Sequence, residues 1–427
     1  MTLTINRARR LALACALWLP LFAATAGAAA VTATPPPAAP VRHVFIVLLE
    51  NENYLDTFGA ASPARYLKSL RSRGAALPNY YGTSHLSLGN YLALISGQGP
   101  SRATNADCGL FEEFVATGMT ADGLAVGNGC VYPPQVLTVA NQLAARNLSW
   151  KAYMEDMGNN PGREGATCAH PVIGGPDNTQ AAERGDQYAT RHNPFVYFHS
   201  IIDTPACDAS VVNLQALSAD LRRIDTTPNY VFITPNLCHD GHDGGPGARC
   251  ANGEPGGLES ADAFLATLVP QILASPAYRR DGLLIITFDE ADLEYDYNPG
   301  TRMTSMTGGD ASACCDEQPG PNVPAYREGV TGRVINGPGL VGPGGGRIGA
   351  VLLSPFIRPG TVSTVPYNHY ALLRSVEDFF QLEHLGLAAQ PGLRSFGADI
   401  FRKPLRKPAA PPAPRPAAPP AADPAGH

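Results

Sequence analysis

Short apolar runs alternate along the chain with longer amphipathic segments. Most of these runs are nearly continuous, and the first, HVFIVLL, is rich in β-branched residues, which is typical of strands buried on both faces. The runs predict strands at residues 43–49, 150–154, 229–234, 283–288 and 348–353. The segments between them predict helices at residues 62–71, 88–96, 135–146, 211–223, 258–274 and 368–382. This alternation predicts an α/β fold, a single large domain whose mainly parallel central sheet carries helices on both faces.

Local signals mark some of these helices more sharply. Ser62 is expected to be an N-cap, with Pro63 at the first helical position after it. Gly97 is expected to close the helix at residues 88–96. The segment 211–223 is predicted to be helical because leucines share one helix face at positions 214, 217 and 221.

The two ends of the chain differ in composition from the middle. Residues 1–28 combine a basic start, a short apolar run and a small-residue cleavage site, which together predict a secretory signal peptide. Residues 29–41 form an Ala-, Pro- and Thr-rich linker, and residues 404–427 a Pro- and Ala-rich tail that we expect to be disordered. We therefore expect a folded domain at residues 42–403 in an exported protein, either periplasmic or extracellular.

A long segment rich in Gly, Pro, Asp and Thr interrupts the regular alternation. It spans residues 292–346, directly after the predicted strand at 283–288. Loops of this length are usually functional or mobile. We expect it to be a loop inserted after a core strand.

The cysteines favour disulfide bonds. Of nine cysteines, Cys15 lies in the predicted signal peptide, which leaves eight in the mature chain. An even number in an exported protein suggests disulfides, and neighbouring positions favour Cys108–Cys130 and Cys238–Cys250. The sequence leaves the pairing open. The absence of any CxxC pattern argues against a thiolate metal site.

Charge and hydropathy restrict the partners. The net charge is −6, and no basic stretch is interleaved with aromatic residues, so the sequence gives no support for nucleic-acid binding. Beyond the N-terminal segment there is no run of about 18 apolar residues. We therefore expect no stable membrane insertion of the mature chain.

Polar side chains follow directly after the predicted strands. In open α/β sheets the carboxyl ends of parallel strands meet at one edge, where ligands bind. Oxygen and nitrogen donors at such an edge are typical of metal and phosphate sites. Each residue alone has an ordinary alternative as a solvated turn or surface residue, so it is their convergence that favours a function. The candidates are Glu50, Asn51, Asn236, His239, His242, Asp289, Glu290 and His369.

Ser87 is the candidate nucleophile. It lies where an extended segment passes into the helix at residues 88–96. A hydroxyl at a helix N-terminus lies in a positive dipole among free backbone N–H groups, which suits a phosphate oxygen. A neighbouring metal ion would lower its pKa and favour the alkoxide. The alternative is that Ser87 is only an N-cap.

Six motifs, in this order across residues 43–385, carry a resemblance to a known family. They are HVFIVLLEN, TSHLSLGNYLALISG, NPFVYFHSI, NYVFITPNLCHDGHDG, LLIITFDEA and YNHYALLRSVEDFF. The chain resembles the phosphoesterase family of bacterial phospholipases C and acid phosphatases, part of the alkaline phosphatase superfamily. Relatives usually have Pro where this chain has Leu86 and Gly89. Both residues lie in the turn that carries Ser87, which we call the nucleophile turn, so its geometry is expected to differ from that of relatives.

The resemblance implies roles for the candidate residues. It implies one firmly bound divalent metal ion, with a second left open, held by Glu50, Asn51, Asp289 and Glu290. Ser87 would be the nucleophile, and Asn90 would direct its amide at a phosphoryl oxygen. His242 or His369 would stabilise or protonate the leaving oxygen. Substrate-binding roles are expected for Asn236, His85 and His239, although His85 has the alternative of merely packing beside the site.

These roles predict an alkaline-phosphatase-like fold and a secreted, metal-dependent hydrolase of phosphoric esters. The reaction we expect is hydrolysis of phosphate monoesters, as in acid phosphatases, through a phosphoserine intermediate. The main alternative is a phospholipase C or another phosphodiesterase, since the phosphoryl chemistry is shared. A non-catalytic secreted binding protein is disfavoured because Ser87, Asn90, Asp289 and Glu290 are all present.

Overall fold

A computed structural model describes residues 41–245, 247–298, 303–323 and 344–402, with the backbone alone for 293–298 and 303–308. The predicted signal peptide, the linker up to residue 40 and the tail lie outside these ranges. None of the helices in the described part of the chain combines the length and the hydropathy that a bilayer crossing requires.

The described residues form short strands and helices in alternation. The strands are β1 His43–Leu49, β2 Ala75–Leu77, β3 Tyr80–Tyr81, β4 Leu110–Phe111, β5 Val115–Met119, β6 Ala125–Asn128, β7 Trp150–Met154, β8 Gly175–Pro176, β9 Val211–Asn213, β10 Tyr230–Thr234, β11 Gly282–Phe288, β12 Leu293–Asn298, β13 Met303–Gly309, β14 Ala350–Leu353, β15 Thr361–Val362 and β16 Tyr367–Asn368. The helices are α1 Tyr54–Phe58, α2 Arg65–Leu70, α3 Ser87–Ser96, α4 Val139–Ala145, α5 His199–Ile202, α6 Pro205–Ser210, α7 Leu217–Asp220, α8 Gly257–Ala274, α9 Pro276–Asp281 and α10 His369–Phe380.

An eight-stranded sheet forms the centre, in the order β15-β2-β14-β11-β1-β10-β7-β9. The strands from β11 to β9 are parallel to their neighbours, while β14 runs antiparallel to both β11 and β2. Every residue of β1, β10 and β11 is buried, because helices and loops cover both faces of the sheet. The predicted α/β class with a mainly parallel sheet is confirmed.

The register of the central strands positions the site. Leu49 at the end of β1 is level with Phe288 at the end of β11. On the other side of β1, Val47 is level with Ile233, one residue before the end of β10. Three strands therefore end together, and the residues after them emerge at one edge of the sheet.

One predicted helix is wrong. Residues 211–213 form the edge strand β9, which pairs with β7, and only Leu217–Asp220 is α-helical. Two adjacent valines favour the strand. The side chain of Asn213 then accepts a hydrogen bond from the Gln215 N–H, which ends the strand in a turn.

Of the two other local predictions, one is confirmed and one is wrong. Gly97 closes α3 in the left-handed conformation, as predicted. Ser62, however, is not the N-cap of α2, because the helix begins at Arg65 after Ala64. The hydroxyl of Ser62 instead accepts a hydrogen bond from the N–H of Ala64, in the turn that precedes the helix.

The predicted inserted loop contains regular structure. Its first part is an antiparallel hairpin of β12 and β13. Its two ends are fixed near the nucleophile turn: the N–H of Ala291 donates to the Gly345 carbonyl at 2.7 Å, and the N–H of Gly82 to the Gly346 carbonyl at 2.9 Å. The insertion is therefore anchored beside the residues that follow β11.

Four disulfide bonds join the eight cysteines of the described chain. The predicted pairs Cys108–Cys130 and Cys238–Cys250 are confirmed. The remaining bonds are Cys168–Cys207 and Cys314–Cys315.

Candidate active site

The polar residues after β1 and β11 meet at the carboxyl edge of the sheet. The N–H groups of Asn51 and Glu290 both donate to Asp289 Oδ1, at 3.1 and 2.6 Å. Asn51 adopts a positive φ of 50°, which turns the chain sharply at the end of β1. The structure thus brings together Glu50, Asn51, Asp289 and Glu290, the set expected to hold a metal ion.

Ser87 lies against this acidic set. Its Oγ donates to Glu50 Oε2 at 2.7 Å, and Tyr91, one turn later in α3, donates to Glu50 Oε1 at 2.7 Å. A serine far from both acidic pairs in sequence is therefore in contact with the carboxylate of Glu50, the residue that follows β1.

The nucleophile turn explains two departures from the family pattern. Leu86 precedes Ser87 with φ 66°, a value that a proline ring cannot adopt. A Cβ at Gly89 would lie 2.5 Å from Ser84 Oγ and 2.9 Å from Asn105 Oδ1, too close for any side chain. This turn therefore excludes Pro at position 86, and a side chain at position 89 would have to displace Ser84 and Asn105.

The side chain of Asn90 is occupied within this turn. Its Oδ1 accepts from the N–H groups of Thr83 and Ser84 at 2.8 and 2.9 Å, and its Nδ2 donates to the Ser84 carbonyl at 2.9 Å. Asn90 is fully buried. In this structure Asn90 therefore fixes the backbone that presents Ser87, and its contact with a phosphoryl oxygen stays a prediction.

The site concentrates buried carboxyl groups. Glu50, Asp240, Asp289 and Glu290 are at most 4% exposed. Burial raises the pKa of all of them above the ordinary range, and the charge of Asp289 raises the pKa of Glu50 and Glu290 further. A buried group of this kind is costly when ionised unless a cation neutralises it.

Several buried oxygens of this acidic set have no hydrogen-bond donor. Within the described residues, Asn51 Oδ1, Asp240 Oδ2 and Asp289 Oδ2 are buried without a hydrogen-bond partner. Carboxylate and amide oxygens are the donors that hard divalent cations prefer. The donor set therefore fits a divalent metal ion.

Residues between β8 and α5 that sequence reasoning missed complete the site. His192 Nε2 lies 3.4 Å from Glu50 Oε2, and its ring stacks on Tyr91 with centroids 5.2 Å apart. His192 Nδ1 lies 3.5 Å from Asp240 Oδ2. The available signal was a basic pair, Arg191 and His192, one residue before the apolar run PFVYF, since charged residues are rarely buried without a partner.

Arg191 supplies positive charge to the same region. It is 7% exposed, and its Nε lies 4.0 Å from Asp107 Oδ2. Burial opposes its charge, but Asp107, Glu50 and Asp240 outweigh that effect and raise the pKa of Arg191. The guanidinium is therefore a permanent cation near the acidic set.

His242 also lies beside Asp240. Its backbone N–H donates to Asp240 Oδ1 at 2.9 Å, and its Nδ1 pairs with Asp243 Oδ1 at 2.7 Å. The bond to Asp243 raises the pKa of His242 in spite of burial. The ring is 38% exposed and accessible to a ligand, as a proton donor must be.

Two predicted histidines are enclosed behind the acidic set. His369 accepts from the Tyr80 hydroxyl at 3.1 Å through Nδ1, and its Nε2 bonds to the backbone carbonyl of Asp289. His85 bonds to Glu290 Oε2 through Nδ1 and to the Asp310 carbonyl at 3.2 Å through Nε2. The ring nitrogens of both histidines thus bond to the protein's own groups, and their roles towards a leaving group or a substrate stay predictions.

The remaining predicted residues face away from this site. Asn236 donates to Asp156 at 2.8 Å and caps the following turn through Oδ1. His239 bridges Glu155 and Glu254 at 2.9 and 3.1 Å, where it lines a separate cavity of about 820 Å³. The loop after β10 thus presents Asp240 and His242 to the acidic set and His239 to the separate cavity, and the substrate-binding roles of Asn236 and His239 stay predictions.

Fold and site together describe an α/β protein with a serine hydroxyl hydrogen-bonded to a carboxylate in a buried acidic centre. The sequence model of the phosphoesterase family matches residues 60–383, and the chain belongs to that family.

Two proteins with sequences similar to this chain are named acid phosphatases. The chain is 28% identical over 263 residues to a phosphate-repressible acid phosphatase of Penicillium chrysogenum, covering 62% of this chain and 51% of that protein. It is 26% identical over 246 residues to an acid phosphatase of Aspergillus fumigatus, covering 58% of this chain and 44% of that protein. The chain thus spans about half the length of these relatives.

Solved structures give a weaker likeness. A protein in the alkaline phosphatase superfamily from Vibrio parahaemolyticus is 12% identical, with 81% of this chain and 69% of that chain covered at a TM-score of 0.41. A likeness of this size carries no argument about the site.

Proposed function

We propose that this protein is an exported, metal-dependent phosphomonoesterase of the acid phosphatase type, in which Ser87 carries the phosphoryl group. The contact between Ser87 Oγ and Glu50 Oε2, 2.7 Å long and among buried carboxyl groups, is the observation that carries the proposal. The relatives named acid phosphatase support the reaction class. The predicted signal peptide and the disulfide bonds support export.

A divalent metal ion would be held by Glu50, Asn51, Asp289 and Glu290. When bound, it would lower the pKa of the Ser87 hydroxyl and neutralise charge on the phosphoryl group. The unpartnered oxygens of Asn51 and Asp289 support this assignment.

The protein's own groups account for the first half of the reaction. Glu50 accepts the hydroxyl proton of Ser87, and Ser87 Oγ forms a bond to phosphorus as the bond to the leaving oxygen breaks. Arg191 supplies positive charge for the equatorial oxygens. His242, protonated through its bond to Asp243, gives its proton to the leaving alcohol.

The second half reverses these roles. His242, now neutral, accepts a proton from water as the water oxygen attacks phosphorus. The bond to Ser87 Oγ breaks, the serine recovers its proton, and inorganic phosphate leaves. Because the first half needs protonated His242, activity should extend to acidic pH.

Substrate comparison tests this function. We would measure turnover of p-nitrophenyl phosphate and bis-p-nitrophenyl phosphate from about pH 4 to 9, and quench the monoester reaction in acid to detect phosphate on the Ser87 peptide. A monoester preference of at least about tenfold with a labelled Ser87 supports the proposal. A diester preference would instead indicate a phosphodiesterase, and absence of turnover on both would indicate a binding protein.

A further inference from the structure

The nucleophile helix α3 lacks a side-chain cap from its own segment. Its N-cap residue is Leu86, which makes no side-chain hydrogen bond to the first turn. The N–H of Leu88, directly after Ser87, donates instead to Asp107 Oδ1 at 3.0 Å. A carboxylate 19 residues further along the chain thus does what an N-cap side chain normally does.

Asp107 is itself held from several sides. Its carbonyl accepts from Gln180 Nε2 at 3.1 Å, and its other carboxylate oxygen lies 4.0 Å from Arg191 Nε. The next residue, Cys108, is tied to Cys130 by a disulfide bond. Residues 105–108 are therefore held in place and pack against the start of α3. We call these four residues the support.

A second contact joins the same support to the nucleophile turn. Ser84 Oγ donates to Asn105 Oδ1 at 3.4 Å, and Asn105 lies two residues before Asp107 in the chain. The support thus touches the turn on both sides of Ser87, at Ser84 and at Leu88. Since Leu86 adopts an unfavourable positive φ, outside contacts are needed to keep this turn in its shape.

We infer that Asp107 is a positioning residue for the reaction: by accepting the N–H of Leu88, it holds Ser87 Oγ in line with Glu50 and the phosphoryl group. This inference rests on the proposed role of Ser87 as nucleophile. The loss of Asp107 should lower kcat rather than substrate affinity, because a shift of about 1 Å in a reacting group can cost about 100-fold in rate.

The inference requires the acceptor oxygen of Asp107, not its charge. Asp107→Asn keeps an oxygen at the Oδ1 position, whereas Asp107→Ala removes it. A matched control exists in α2, where Asp262 accepts the N–H groups of Tyr66 and Leu67 at 2.9 and 2.8 Å. Asp262→Ala removes the same kind of distant cap from a helix outside the site.

The test measures kcat, KM and thermal stability with p-nitrophenyl phosphate for these three variants. We expect Asp107→Ala to lower kcat at least about tenfold at nearly unchanged KM, and Asp107→Asn to recover most of it. Asp262→Ala should lower the melting temperature as much as Asp107→Ala but leave kcat unchanged. Equal loss in Asp107→Asn and Asp107→Ala, or full kcat in Asp107→Ala, overturns the inference.

Hydrogen–deuterium exchange separates this inference from the function itself. Peptides covering residues 83–92 should exchange faster in Asp107→Ala than in the wild type and Asp107→Asn, whether or not the protein hydrolyses phosphate esters. If the wild type has no turnover but shows this pattern, the proposed function fails while the cap stands. Unchanged exchange in Asp107→Ala rejects the cap.

Discussion

Ser87 Oγ donates a hydrogen bond to Glu50 Oε2 over 2.7 Å, although the two residues are 37 positions apart. The contact forms because β1 delivers Glu50 to the carboxyl edge of the sheet, while the turn before α3 directs Ser87 at the same point. A hydroxyl against a fully buried carboxylate is an arrangement that favours proton removal from serine, and the predictions below depend on it.

Removing the Ser87 hydroxyl should abolish turnover. We expect Ser87→Ala to lower kcat for p-nitrophenyl phosphate by at least about 1,000-fold, because the proposed intermediate can no longer form. The fold should persist, as judged by circular dichroism and melting temperature. Ser96→Ala is the control: this serine lies at the other end of the same helix, where its hydroxyl donates to the Leu92 carbonyl and accepts from the Gln98 N–H, so activity should persist. Substantial turnover by Ser87→Ala would remove Ser87 from the mechanism.

Replacing His242 should affect substrates with poor leaving groups most. His242→Gln removes the proton donor, so kcat should fall by about 100-fold or more for glycerol phosphate and less for p-nitrophenyl phosphate, whose leaving group needs no proton. His239→Gln is the matched control, because His239 lies three positions away but faces a separate cavity. Equal losses for both substrates, or a similar loss in His239→Gln, would contradict the role of His242.

Chelation should reduce both activity and stability. Burial raises the pKa of Glu50, Asp289 and Glu290, so their stabilising contribution without a metal ion is present at acidic pH and lost as pH rises. The melting temperature of the chelated protein should therefore fall further below that of the metal-loaded protein at pH 8 than at pH 5. Thermal melts with and without added divalent ions measure this difference. An unchanged melting temperature and full activity after exhaustive chelation would exclude the metal site.

The ion pairs of His239 should make the free energy of unfolding decrease as the pH rises into the alkaline range. Burial lowers its pKa, but hydrogen bonds and charges from Glu155 and Glu254 outweigh this and raise it to about 9. Because the folded pKa exceeds the unfolded value of about 6.5, the stabilisation is complete below pH 6.5 and is lost as pH rises through 9.

Thermal melts of the wild type and His239→Gln from pH 6 to pH 10 test this. The wild type should lose a few degrees more than the variant across that range. If the melting temperatures of the two proteins change equally from pH 6 to pH 10, His239 is not charged in the folded state.

Local sequence was sufficient for most of the central sheet. Apolar runs with β-branched residues predicted β1, β10, β11 and β14, since a strand buried on both faces has few other solutions, and the mostly apolar segment WKAYM predicted β7. It was insufficient at residues 211–223, where leucine spacing suggested a helix but pairing with β7 made a strand of the first three residues. Edge pairing is a tertiary contact and leaves little local signal.

For the site, the sequence by itself determined which residues emerge at the strand ends: Glu50 and Asn51 after β1, Asp289 and Glu290 after β11. The strand pattern fixes these positions, and the parallel register makes them meet. Only the tertiary structure decided which way the loop side chains face. His85, His239 and His369 lie near the predicted edge but bond to the protein's own groups. Arg191, His192 and Asp107 enter the site from loops without any periodic pattern, because a loop side chain is oriented by contacts distant in sequence rather than by its neighbours.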